Sequence, residues 1–246
     1  MKISIVIPLW RRAEIFQLVS TQLEIFTQTN KKYDFRVVFI ISPEDNEIVL
    51  LKKIIEKATY NFSIVYHSNR YLGEKINAGI NAALDCDYIM NAGSDDLLHP
   101  GLMKLYEKNI KNVEFFFGIN SVYFFDMERK KNYFFQYETE EYSIGAGRMI
   151  FSEIVKYMKR KKITLYNNHL QRGLDTNSSN NIKKLGICEK IIKSDYFPYI
   201  VDLKSKENIN SIERIKTSKH NNMKAMENII IYENFLYFET ILKSMH

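Results

Sequence analysis

The chain has 246 residues, 46% of them hydrophobic and 26% charged, which is too apolar for a disordered protein and long enough to bury a large core as one α/β unit. Lys and Arg number 35 against 29 Asp and Glu, a net charge of +6. This mild excess suits a phosphate-bearing ligand or an acidic membrane surface and does not demand nucleic acid. Residues 3–8 form a continuous apolar, β-branched run ending in Pro8, which predicts a strand buried on both faces. Residues 13–27 carry Ile15, Leu18, Val19, Leu23 and Phe26 at helical spacing. A second buried strand over 35–41 is closed by Ser42-Pro43-Glu44-Asp45-Asn46. Helix 46–58, strand 62–66, helix 73–84 and strand 88–90 follow, and Pro100-Gly101 precedes another helix. This β-α-β-α-β-α-β order predicts a Rossmann-type, mainly parallel sheet with helices on both faces. The loops after Ile7, Ile41, Tyr66 and Met90 should then meet at the carboxyl ends of the strands, where such sheets bind ligands.

The second half is less regular. Residues 113–125 and 133–137 read as strands joined by the charged turn 126–131, a smaller antiparallel hairpin region whose Phe and Tyr read as a core layer. Residues 151–159 and 185–192 read as helices, 200–203 as a late strand and 204–222 as a polar, loop-rich stretch. Ile231, Phe235, Phe238 and Leu242 fall on one helical stripe. Cys86 and Cys188 lie too far apart in sequence to suggest a zinc or disulfide framework, and read as free thiols of a reducing compartment. No segment approaches the ~20 apolar residues of a membrane span, and the opening residues read as a strand rather than a leader. A soluble, cytoplasmic protein is expected.

Two places carry chemistry. Gly93-Ser94-Asp95-Asp96 puts two carboxylates at a strand's carboxyl end, where they can coordinate a hard divalent cation and neutralise a diphosphate. Equally, Asp96 can cap the helix near Pro100, or both acids can shape a turn. Gly73 stands at a loop-to-helix junction that attracts phosphate, with Lys75 in the first turn. The alternative for Lys75 is a solvated helix face.

The segments ISIVIPLWRRAEIF, NRYLGEKINAGINAALDCDYIMNAGSDDLLHPGL and GAGRMIFSEIV resemble, in order and spacing, the inverting nucleotide-sugar glycosyltransferases of family two. The resemblance is closest over residues 1–105 and looser over 145–182. It implies a single GT-A-like domain over 1–246: a nucleotide-sugar-binding half (1–110), an acceptor-binding half (111–222) and a C-terminal helix (223–246). It implies that Pro8, Leu9 and Trp10 lie beside the nucleotide base and that Arg12 matches the family's Arg. Ser42-Pro43-Glu44-Asp45 replaces the family's Asp-Asp-Gly-Ser, which brings Ser42 and Glu44 to the nucleotide. Lys75 is displaced by one residue from the family's basic position, and Asn77 with Gly79 matches its Asn-x-Gly. Ser94, Asp95 and Asp96 match the end of Asp-x-Asp, with Gly93 where the first Asp stands. The resemblance further implies Mn or Mg held by Asp95, Asp96 and the late His220, with Lys204 and Lys219 toward the diphosphate. It implies Asp175 as the base, one acid where the family has a Glu-Asp pair. By residue chemistry alone Asp175 also fits an N-cap or Asx-turn. The expected partners are a nucleoside-diphosphate sugar and a carbohydrate or other hydroxyl acceptor.

Two other readings stand beside this one. A nucleotidyltransferase normally carries a Gly-rich loop after the first strand, where this chain has Pro8-Leu9-Trp10-Arg11-Arg12. A non-catalytic nucleotide- or polyanion-binding module would use Arg11-Arg12 and the run 159–162 against nucleic acid or an anionic membrane. The same run can also be a solvated helix end.

Overall fold

Strands β1 (Lys2–Leu9) and β2 (Asp34–Ile41) are apolar on both faces, so they can be stable only where both faces are covered. They take neighbouring interior positions of a seven-stranded sheet in the computed structural model, which describes residues 1–205, Ile212, residues 223–226 and Phe235. β3 (Asn61–Tyr66), β2, β1 and β4 (Tyr88–Asn91) run parallel in that order. Their crossovers are α1 (Ala13–Thr29), α2 (Ile48–Ile55) and α3 (Leu72–Ala82). Alternation along the strands sorts the core into two layers. Ile3, Ile5, Ile7, Val37 and Phe39 pack against Phe16, Leu23 and Phe26 of α1, while Val6, Val38 and Ile40 pack against Ile80 of α3 on the opposite face.

The chain leaves β4 through a four-residue turn and enters a second sheet at β5 (Asp96–Leu98), ahead of α4 (Gly101–Lys111). β6 (Phe116–Ile119) belongs to the first sheet and β7 (Ser121–Asp126) to the second; the strand expected over 113–125 is thus two strands that change sheets at Asn120. β7 and β8 (Lys131–Gln136) make the expected antiparallel hairpin. β9 (Met149–Phe151) inserts antiparallel between β4 and β6, ahead of α5 (Ser152–Arg160). Both sequence halves therefore share one sheet. α6 (Leu174–Lys183) covers a stretch to which the sequence pattern assigns no element. The helix expected over 185–192 is instead a turn leading into β10 (Lys190–Ile192), which pairs with β6. β11 (Ile200–Lys204) lies between β7 and β5. Residues 224–226, expected to open a C-terminal helix, form β12 (Lys224–Met226), because the edge of β8 offers them backbone partners. The rest of the expected helical stripe lies outside the described residues, apart from Phe235, which is buried. Among the described residues no helix is long and apolar enough to cross a membrane.

Candidate active site

The junction between β1 and α1 is strained: Arg11 and Arg12 both hold left-handed φ angles, 56° and 59°. Such conformations persist only where surrounding contacts over-determine them. Here the loop after β2 does so. Asp45 Oδ2 accepts the Arg11 N–H at 2.6 Å, and Glu47 Oε2 accepts the Ala13 N–H at 2.6 Å, a carboxylate on a helix N-terminus. The turn aims Arg12 at the loop after β4, where its Nη1 meets Asp95 Oδ2 at 2.9 Å and its Nη2 meets Ser94 Oγ at 3.0 Å.

A third carboxylate joins Asp95 and Asp96. β5 and β11 pair antiparallel with Asp96 directly opposite Asp202, and oxygens of Asp95, Asp96 and Asp202 lie within 4.8 Å of one another. Like charges placed opposite across a strand pair repel. Arg12 and Lys204, whose Nζ meets Asp202 Oδ2 at 2.5 Å, supply two positive charges against three negative ones. Burial, with Asp202 and Asp95 nearby, pushes Asp96 well above the usual carboxyl range; burial and Asp95 push Asp202 up to about 7. Burial acts on Asp95 too, but Arg12 and Lys204 outweigh it and hold Asp95 low. Burial alone would lower Lys204, yet Asp202 and Asp95 keep it above its ordinary value. Asp202 Oδ1 is buried without a hydrogen-bond partner among the described residues. An all-oxygen set that holds protons a cation can displace, with an orphaned acceptor, fits a hard divalent cation. Gly93 belongs to the same arrangement. A Cβ there would lie 2.6 Å from Asp95 Oδ1 and 2.9 Å from Asp96 Oδ2, so the two carboxylates occupy the space a first Asp would need. Asp202 was missed by the sequence reading. Its signal was an acid and a base two residues apart, hence on one face of an otherwise apolar strand. His220 and Lys219 lie outside the described residues.

Lys75 is neither on a solvated face nor an open anion contact. It is fully buried, and its ammonium donates to Leu9 O (2.5 Å), Ser42 Oγ (2.6 Å) and Asn69 Oδ1 (3.1 Å), which uses all three protons. Burial, partly opposed by Asp45 and Glu44, lowers its pKa to about 8. Leu9 and Ser42 are buried with it, and the exposed Glu44 accepts the Asn69 N–H at 2.6 Å, so these residues brace the loops. Asn77 spends its amide on Tyr166 O and Asn168 Oδ1, both at 2.7 Å. The α3 N-terminus expected to attract phosphate is already covered: the Gly73 N–H donates to Leu170 O at 2.9 Å and the Leu72 N–H to Gln171 Oε1 at 3.2 Å. Replacing Lys75 by Ala strands three acceptors, and a destabilisation of about 2–4 kcal/mol is expected in urea unfolding. A loss below about 0.5 kcal/mol would show that Lys75 is not the tie between these loops.

Asp175 lies in the first turn of α6, which starts from Gly173 at φ 67°. A Cβ on Gly145 would come 2.1 Å from Asp175 Oδ1, so the glycine is what lets the 145–147 backbone approach this carboxylate. Burial raises the Tyr137 hydroxyl above its ordinary value, with Asp175 adding to the shift. One cleft of about 870 Å³ takes in both acidic positions. Pro8, Trp10, Arg12 and residues 91–96 line it, together with Asp202 and Lys204 and, from the second half, Tyr137, Gly145, Tyr166 and Asp175. Leu9, Ser42, Glu44 and Asn77 do not line it, so of the expected donor-side residues only Pro8, Trp10, Arg12, Lys75, Ser94 and Asp95 do.

The architecture is a GT-A-type α/β fold, a mostly parallel central sheet with an additional antiparallel sheet. The fold is similar to that of Staphylococcus aureus TarS residues 1–349 in complex with UDP-GlcNAc, with a TM-score of 0.62 at 12% identity. That match covers 85% of this chain and 60% of the TarS chain, so the protein spans less than two thirds of that structure's length. The complex of TarS 1–349 with UDP gives a TM-score of 0.53 at 14% identity, covering 98% and 72%. The 4-diphosphocytidyl-2C-methyl-D-erythritol synthase of Anaerococcus prevotii gives 0.50 at 15%, covering 79% and 89%. No protein-family model matches the sequence, and no curated protein matches it.

Proposed function

We propose that this protein is an inverting glycosyltransferase that moves a sugar from a nucleoside-diphosphate donor to an acceptor hydroxyl. The observation that carries the reading is one cleft with a three-carboxylate cluster beside Arg12 at one position and a separate carboxylate, Asp175, at another. In such a reaction the acceptor oxygen attacks the anomeric carbon as the bond to the diphosphate breaks, and the hydroxyl proton passes to a base. Asp175 takes that proton. Asp95, Asp96 and Asp202 would hold Mn or Mg, which when bound offsets the charge of the departing diphosphate. Arg12 holds Asp95 and Ser94 in place for that task. Trp10, half-buried at the cleft with the Arg11 guanidinium 5.2 Å from its ring, presents an aromatic face to the nucleotide base. Two of the similar structures hold UDP-GlcNAc and UDP, which supports a uridine donor as the first to try.

A screen of nucleoside-diphosphate sugars that detects released nucleoside diphosphate tests the reading, alongside calorimetry with UDP with and without Mn. Manganese-dependent binding and release are expected. A folded protein that binds no nucleoside diphosphate excludes the proposal, and binding without turnover of any donor and acceptor leaves a non-catalytic binding module. The likeness to the A. prevotii synthase favours nucleotidyl transfer as a second reading. That reaction would release pyrophosphate rather than nucleoside diphosphate. The end of β1 and the residues that follow it, from Pro8 to Arg12, lack the glycines such enzymes carry after the first strand.

A further inference from the structure

Arg148 has no evident reason to be a charged residue. It is 1% exposed, immediately before β9, with its guanidinium 5.3 Å from the ring of Phe116. Its counter-ion Glu189, 3.0 Å from Nε, has a side chain only 1% exposed. A fully buried ion pair is a weak source of stability, because the cost of removing both charges from water offsets their attraction; an apolar pair of similar volume does as well or better. What such a pair provides is direction, since a guanidinium donates in a fixed planar fork.

Here the fork reaches the backbone of two residues, Ser143 and Asp175. Nη1 donates to Asp175 O at 3.0 Å and to Ser178 Oγ at 2.6 Å, while Nε donates to Ser143 Oγ at 2.9 Å and Nη2 to Ser143 O. Ser178 Oγ and Ser179 Oγ donate to the same Asp175 carbonyl, at 2.9 and 3.0 Å. Glu189 closes the circuit by accepting from Ser179 Oγ at 2.5 Å and from the Ser143 hydroxyl. Three side-chain donors therefore converge on one carbonyl in the first turn of a helix made mostly of Asp, Thr, Asn and Ser, which has little intrinsic preference to be a helix. Gly118 makes room for the network: a Cβ there would lie 2.3 Å from Ser143 Oγ.

We infer that Arg148, with Glu189 as its counter-ion, is a positioning residue that fixes the backbone of Asp175 and so aims the Asp175 carboxylate into the cleft. The inference rests on the proposed role of Asp175 as base. The Arg148 guanidinium donates to Ser143, Asp175 and Ser178, so its effect is expected on the acceptor side.

The test uses two variants. Arg148→Lys keeps the charge against Glu189 but loses the fork. Arg148→Met combined with Glu189→Met replaces the ion pair by an apolar one and is expected to fold with an unchanged or higher melting temperature. In both, affinity for UDP should match the wild type by calorimetry, while kcat for transfer falls about tenfold or more, because a small misplacement of a reacting group is costly. A purely structural role would weaken UDP binding and kcat together. The second readout is a cycle with Asp175→Asn: if Arg148 works through the Asp175 carboxylate, either Arg148 change has little further effect on the residual rate of Asp175→Asn. Wild-type kcat in the folded double Met variant, or an additive loss in the Asp175→Asn background, overturns the inference and leaves the base assignment intact. Full activity of Asp175→Asn alone removes the base assignment, and this inference with it.

Discussion

Asp175→Asn is expected to lower the transfer rate by about 10²–10⁴-fold, the usual worth of a positioned base, with affinity for nucleoside diphosphate unchanged. The substitution keeps the shape of the side chain and removes its capacity to take a proton. The residue has few other duties. Its backbone carbonyl, not its carboxylate, receives the bonds from Arg148, Ser178 and Ser179, so α6 should stay in place when the side chain becomes neutral. The carboxylate itself lies against the Gly145 backbone, in the cleft. Steady-state release of nucleoside diphosphate gives kcat, and calorimetry gives donor-side binding. A variant that transfers at the wild-type rate would move the base elsewhere in the cleft.

The second large effect is expected from metal and pH together. Asp202→Asn should weaken Mn affinity about tenfold or more, a loss of roughly 1.4 kcal/mol per factor of ten, and Asp95→Ala should do the same. Titration of Mn into the metal-free protein measures this without turnover. The sign of the pH dependence follows from the raised pKa values. Asp96 lies well above the usual carboxyl range and Asp202 is at about 7. Between the ordinary carboxyl range and about 7 the folded chain keeps a proton that the unfolded chain has lost. This contribution to stability is complete at low pH and disappears as pH rises through about 7. A cation replaces that proton, so Mn should bind more tightly, release protons on binding and raise the melting temperature more at about pH 8 than at about pH 5. Manganese affinity that does not change with pH or with Asp202→Asn would remove Asp202 from the ligand set.

The first four parallel strands and their crossover helices were legible because each strand is built on a short apolar stretch and each helix carries a regular stripe. The ends of those elements placed the Asp95 turn, Trp10 and Arg12 in one cleft. The second half resisted for physical reasons. A three-residue strand such as β5 or β9 leaves no periodicity to read, and the strand expected over 113–125 gave no sign that it changes sheets at Asn120. α6 is held by tertiary hydrogen bonds to its serines and by the burial of Ile182, so propensity could not announce it. Asp202 was hidden because its meaning comes only from the strand pairing that sets it opposite Asp96. Lys75 was misread in both directions. Its position in a first helical turn suggested an anion or solvent, and nothing local reveals that Leu9, Ser42 and Asn69 converge on it.

The pairing of β5 with β11 also bears on how the molecule acquires its chemistry during synthesis. The two strands are separated by roughly a hundred residues, a span whose closure entropy is overcome only once the intervening sheet is in place. The parallel core of β1 to β4 can condense while the chain is still emerging from the ribosome. Asp96 meets its partner only after β11 has cleared the exit tunnel. During synthesis, therefore, the acidic turn exists before the strand that completes it.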